Sequence, residues 1–181
     1  MENKIDKILF TDLAEIIEQG KSQLTKQVNS VLTLTYWHIG KKINEHILNY
    51  KRAEYAKEIV STLSTQLKTH YGKSFELRNL RRIMQFSEQF PDFEIVVPLA
   101  RQLSWSHFVE LLPLKTKEQR YFYAEKIADE RWSIRNTRYQ IERKAFERQE
   151  IASLQIADEF SEMKNTFKDP YFLDFLGLKD G

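Results

Sequence analysis

Arg78, Arg81, Arg82, Gln85 and Gln89 recur so that, at about 100° per residue, they share one side of a helix with Ser74. No carboxylate stands among them. Arginine pairs with phosphate or with guanine edges, and glutamine with adenine edges, so this residue set can read or grip nucleic acid. The competing reading is a solvated helix face. Leu80, Ile83, Met84, Phe86 and Phe90 fall on the opposite side and would anchor the helix to a core.

The elements around this stretch must hold it in place. Gly72 can take the left-handed conformation that ends a helix, and Ser74 can cap the next one. The preceding helix, about residues 54–70, carries Ala56, Ile59, Val60, Leu63 and Leu67 at helical spacing. Together they predict a helix-turn-helix corner. Pro91 and Asp92 stop its second helix. Ile95, Val96 and Val97 could form a short strand, hence a wing beside that helix.

Upstream, Thr11 can cap a long helix running toward residue 49, with Gly20 as its expected break. Downstream, Ser104, Thr116 and Ser133 are expected N-caps of three further helices. The third is expected to run through Ile134, Ile141, Ala145 and Phe146. The fold class expected is all-α, five to seven helices with a helix-turn-helix core and a long N-terminal helix. The aromatic residues read as packing rather than as base-stacking platforms.

Composition narrows the function. The 181 residues include 5 Gly, 4 Pro and no Cys, which favours helices and excludes disulfides and thiolate chemistry. A signal sequence and a membrane-spanning run are both missing, so a cytoplasmic location is expected. The net charge of +2 says little, but its distribution says more. Residues 131–148 are basic and 149–181 acidic, which places a domain boundary near 150. Glycine and histidine spacing form no phosphate loop, dinucleotide fingerprint or HExxH pair. Glu142-Arg143-Lys144 and Glu162-Met163-Lys164 read as solvated charges. No enzyme, cofactor or metal site is expected.

Several motifs occur in a fixed order: Tyr36-Trp37-His38-Ile39-Gly40-Lys41-Lys42-Ile43, Ser74 to Phe86, Leu103 to His107, Arg120 to Tyr123, and Arg131 to Ile134. On these the chain, over roughly residues 10–150, resembles the N-terminal domain of the YhcG-like bacterial proteins. The resemblance implies a helical DNA-targeting domain that in the family precedes a PD-(D/E)XK nuclease domain. Lys168 to Leu178 resembles the start of that second half, so residues 151–181 are expected to be a linker and the beginning of a domain cut short. The nuclease motif itself has no counterpart here.

The expected partner is therefore DNA, duplex or branched. Arg78, Arg82 and Gln85 would face the groove. Lys73, Ser74, Asn79, Arg81, Gln89, Arg135 and Arg138 complete the candidate contact set. The alternative is a protein-interaction module, with a homodimer formed through the 11–49 helix.

Overall fold

The computed structural model describes residues 2–48 and 53–155, with side chains from 8 and from 56 onward in the first two helices. Among the described residues every regular element is helical: α1 (Glu2–Leu48), α2 (Ala53–Tyr71), a 3-10 turn (Lys73–Phe75), α3 (Leu77–Gln89), α4 (Phe93–Ala100), α5 (Trp105–Leu111), α6 (Lys117–Glu130) and α7 (Ile134–Glu142). Residues 145–155 are helical again. The chain forms two units, one ending at Thr137 and one beginning at Arg138. The tail from residue 156, including Lys168 to Leu178, lies outside the described residues.

In the first unit α3 is the central helix. Leu80, Ile83 and Phe86 on it, and Phe90 just after it, are all fully buried. The Phe86 ring lies 5.5 Å from Phe90, 5.5 Å from Trp105 and 4.7 Å from Phe108, centroid to centroid. A second apolar seam joins Ile43, Val60 and Leu80 of α1, α2 and α3. The buried aromatics are thus core, as their helical spacing predicts.

Three residues of α1, one turn apart, form its crossing with α3. Trp37 Nε1–H donates to the Phe90 carbonyl at 2.7 Å, closing the end of α3. Asn44 Nδ2 donates to the Met84 carbonyl and to Ser87 Oγ, both at 2.9 Å. Between them is Gly40, where a Cβ would lie 2.2 Å from the Ile83 carbonyl oxygen. The two backbones approach there as only glycine permits.

Four expectations need correction. α1 begins well before Thr11 and passes through Gly20 unbroken. Glycine in a helix costs about 1 kcal/mol relative to alanine, less than a break would cost. Ile95-Val96-Val97 is not a strand or wing but the middle of α4. Asp92 caps that helix by accepting from the Glu94 N–H at 3.0 Å, and Val96, Leu99 and Ala100 are buried at helical spacing. Three β-branched residues with no partner strand cannot outweigh a cap and a buried face. Ser74 does not cap α3. It lies in the 3-10 turn, and the residue preceding α3 is Glu76. Finally, the helix begun at Ser133 does not reach Phe146 unbroken. It ends at Glu142, and Lys144, at φ +53°, takes the left-handed conformation that separates it from residues 145–155.

The other caps form as their sequences predict. Thr116 Oγ1 accepts from the Gln119 N–H at 3.1 Å, and the Gln119 side chain reaches back to Thr116. Ser104 uses a histidine for the same box. His107 Nε2 sits 3.0 Å from the Trp132 carbonyl, so Nε2 carries the proton and Nδ1 accepts from the Ser104 N–H at 3.1 Å. Burial lowers the His107 pKa below the ordinary histidine value, against a weaker opposing pull from the Trp132 carbonyl. A lowered folded-state pKa means that the unfolded chain takes up a proton first. His107 should therefore contribute full stability above about pH 6.5 and lose it as pH falls from there through its folded pKa. Urea midpoints of wild type and His107→Gln, compared at several pH values, should converge as pH falls. Parallel curves would show that His107 does not titrate on unfolding.

Candidate nucleic-acid interface

The turn between α2 and α3 is held from several directions. Gly72, at φ +94°, donates its N–H to the Lys68 carbonyl at 3.0 Å and ends α2. Ser64 Oγ donates to the Phe75 carbonyl at 2.9 Å. Phe75 also meets Tyr36 and Tyr71 ring-to-edge. Lys73 and Ser74 are exposed on this turn.

Asn79 is the tie between the turn and α5. Its Nδ2 donates to the Ser74 carbonyl at 2.6 Å, and its Oδ1 accepts from Trp105 Nε1–H at 3.2 Å. Both ends of the amide are thus engaged within the unit. Glu76, beside the α3 N-terminus, pairs with Lys68 at 3.1 Å. That carboxylate is therefore largely offset by a lysine of α2 before any anion approaches.

The predicted face of α3 divides in two. Arg78 and Arg81 are exposed, and Arg82 is half-buried. Arg78 stands at the rim of a cleft of about 800 Å3 between α2 and the start of α3, with the hydroxyls of Ser61, Thr65 and Thr69 along its wall. Gln85 and Gln89 turn inward. Gln85 Nε2 donates to the Leu112 carbonyl at 3.2 Å, and Gln89 Oε1 is enclosed without a hydrogen-bond partner. Neither amide is presented for base reading. Arg135 is exposed on α7, while Arg138 is exposed in the second unit.

A second group of cations is invisible in the sequence because its members are far apart in the chain. Lys26, Arg101 and Arg131 line one cleft of about 260 Å3 with Trp132, and no carboxylate lines it. Lys26 and Arg101 also line an adjoining cleft with Gln23, Gln27 and Ser30. Arg101 and Arg131 are the C-caps of α4 and α6, so part of their charge answers the helix dipoles. Two half-charges do not cancel three whole ones. The nearby Glu130 is occupied by Lys126 at 2.9 Å and by the Trp132 indole N–H at 2.8 Å.

Among the described residues, none of Lys73, Arg78, Arg81, Arg82, Lys26, Arg101 and Arg131 is in an ion pair. No group of three histidines or carboxylates there could hold a metal ion, and no described helix is long and apolar enough to cross a membrane.

A protein of Escherichia coli (strain K12) named "Putative nuclease YhcG" is 26% identical over 206 aligned positions, covering 93% of this chain and 55% of the relative. This chain thus spans about half the length of that relative. No solved structure matches it. Residues 12–148 match the model of the DUF1016 N-terminal domain, and the chain belongs to that family.

Proposed function

We propose that this domain binds DNA and positions it for a nuclease of the kind that its relative's name denotes. The observation that carries this reading is the uncompensated positive charge on the turn and the outer half of α3. Lys73, Arg78, Arg81 and Arg82 have no ion-pair partner among the described residues, whereas Glu76, which lines the same cleft as Arg78, is paired with Lys68. Lysine and arginine without partners make a surface for phosphate. With Gln85 and Gln89 turned inward, the contact is to the backbone and the shape of the duplex more than to base edges. Arg135 extends the set, Arg138 is a separate candidate contact in the second unit, and Lys26, Arg101 and Arg131 offer a second place for a strand. Binding rather than cleavage is the domain's part.

Fluorescence anisotropy with labelled duplex and four-way-junction DNA tests this. Affinity should fall with salt at a slope of about 0.9 log unit per phosphate neutralised. Arg78→Ala/Arg81→Ala should weaken binding roughly 10-fold and reduce that slope by about 2, with the circular dichroism unchanged. Unaltered affinity and slope in a folded double variant would remove α3 from the interface. Absence of any salt-sensitive binding at micromolar protein would overturn the DNA reading as a whole.

A further inference from the structure

Between residues 8 and 28 of α1 every side chain except that of Ala14 is exposed, yet the segment carries a stripe of large apolar residues. Phe10, Leu13, Ile17, Leu24, Val28 and Val31 are 50–72% exposed and fall within about 60° of one another around the helix. Soluble surfaces do not leave a contiguous row of this kind unpaired without a reason.

Its spacing names the partner. The steps between these six residues are three, four, seven, four and three, which read the same in both directions. Such a row is complementary to itself when a second helix lies antiparallel across it. Phe10 then meets Val31, Leu13 meets Val28, and Ile17 meets Leu24, each pair occurring twice as an isologous contact requires. The two-fold axis passes between Gly20 and Lys21. Gly20 has nothing within 4 Å of its Cβ direction, which leaves room for the axes to approach. The axis brings Lys21 beside its own copy, and Glu18, at 2.6 Å from each lysine within its own chain, offsets that charge. A parallel pair fits less well. Its heptad core would include Gly20 and Gln27 and leave Val28 outside.

The unit packs on the opposite side of α1, although Arg101 lines a cleft with Val31 at one end of the stripe. Thr33, Trp37, Gly40 and Asn44, through which α1 packs on its own domain, lie roughly 180° around the helix from the stripe. From their exposures the six side chains offer roughly 600 Å2 per copy, so a symmetric pair can bury up to roughly 1,200 Å2 through them, against the ~1,000 Å2 expected of a specific interface. We infer that two copies of this chain associate through an antiparallel pairing of their α1 helices, centred between Gly20 and Lys21. This surface is independent of the DNA reading.

Because the chain has no cysteine, single cysteines report the pairing directly. Light scattering should find a dimer, and Leu24→Glu should raise its dissociation constant at least about 100-fold. Leu24 is 62% exposed, so circular dichroism should show that variant folded. Under mild oxidation, a mixture of Phe10→Cys and Val31→Cys chains should form the mixed disulfide. Phe10→Cys alone should form none, because its two copies sit about 30 Å apart along the antiparallel pair. A monomer at all concentrations, a dimer indifferent to Leu24→Glu, or efficient bridging of Phe10→Cys to itself would each overturn the inference.

Discussion

Gly40→Ala should lower the stability of the first unit by roughly 2–3 kcal/mol, although the same change in an exposed helix would raise it by about 1 kcal/mol. The added methyl would stand 2.2 Å from the Ile83 carbonyl oxygen, 2.9 Å from its carbon and 2.9 Å from Ser87 Oγ. Two of those three atoms are backbone, so no rotamer change relieves the clash. α1 would have to lift from α3. Lifting it lengthens the Trp37 bond to the Phe90 carbonyl and both Asn44 bonds, which cluster on the same crossing. Gly20→Ala is the control: within one chain its Cβ meets nothing within 4 Å, so at concentrations where the chain is monomeric its midpoint should hold or rise. Thermal denaturation of both variants decides the matter. Equal midpoints would mean that the helices do not cross as closely as described.

Those two glycines show what the sequence could and could not convey. Read locally, each is a weak point in a helical pattern, and Gly20 was the one expected to break the helix. The structure gives the structural role to Gly40, whose neighbour lies 43 residues away in the chain. Features that depend on three or four adjacent residues were legible: the caps at Ser104, Thr116 and Ser133, the positive φ at Gly72, and the apolar stripe of α3. Ile95 to Val97 misled because a short β-branched run carries no information about whether a partner strand exists. The candidate interface was half legible for the same reason. Helical spacing put Arg78, Arg81, Gln85 and Gln89 on one face, and only tertiary packing could show that Leu112 claims Gln85. Lys26, Arg101 and Arg131 converge from three helices, and no sequence window contains them all.

Asn79→Ala should cost about 2 kcal/mol of stability, and this outcome separates a positioning residue from a phosphate ligand. The sequence nominated Asn79 as a backbone contact near the start of the recognition helix. The structure spends both ends of its amide internally, on the Ser74 carbonyl and the Trp105 indole. Removing the side chain leaves the part-buried Trp105 indole donor without a partner, at about 1–3 kcal/mol, while the exposed Ser74 carbonyl turns to water. The turn carrying Lys73 and Ser74 would then lose its link to α5. The variant should unfold at lower urea and bind DNA somewhat more weakly, because a looser turn must be ordered on contact. Asn79→Asp should restore only the indole bond, since a carboxylate accepts from Trp105 but cannot donate to Ser74. Its stability should therefore fall between those of alanine and wild type. A ligand role makes the opposite forecast, with unchanged urea midpoints, weakened binding by Asn79→Ala, and still weaker binding by the anionic Asn79→Asp.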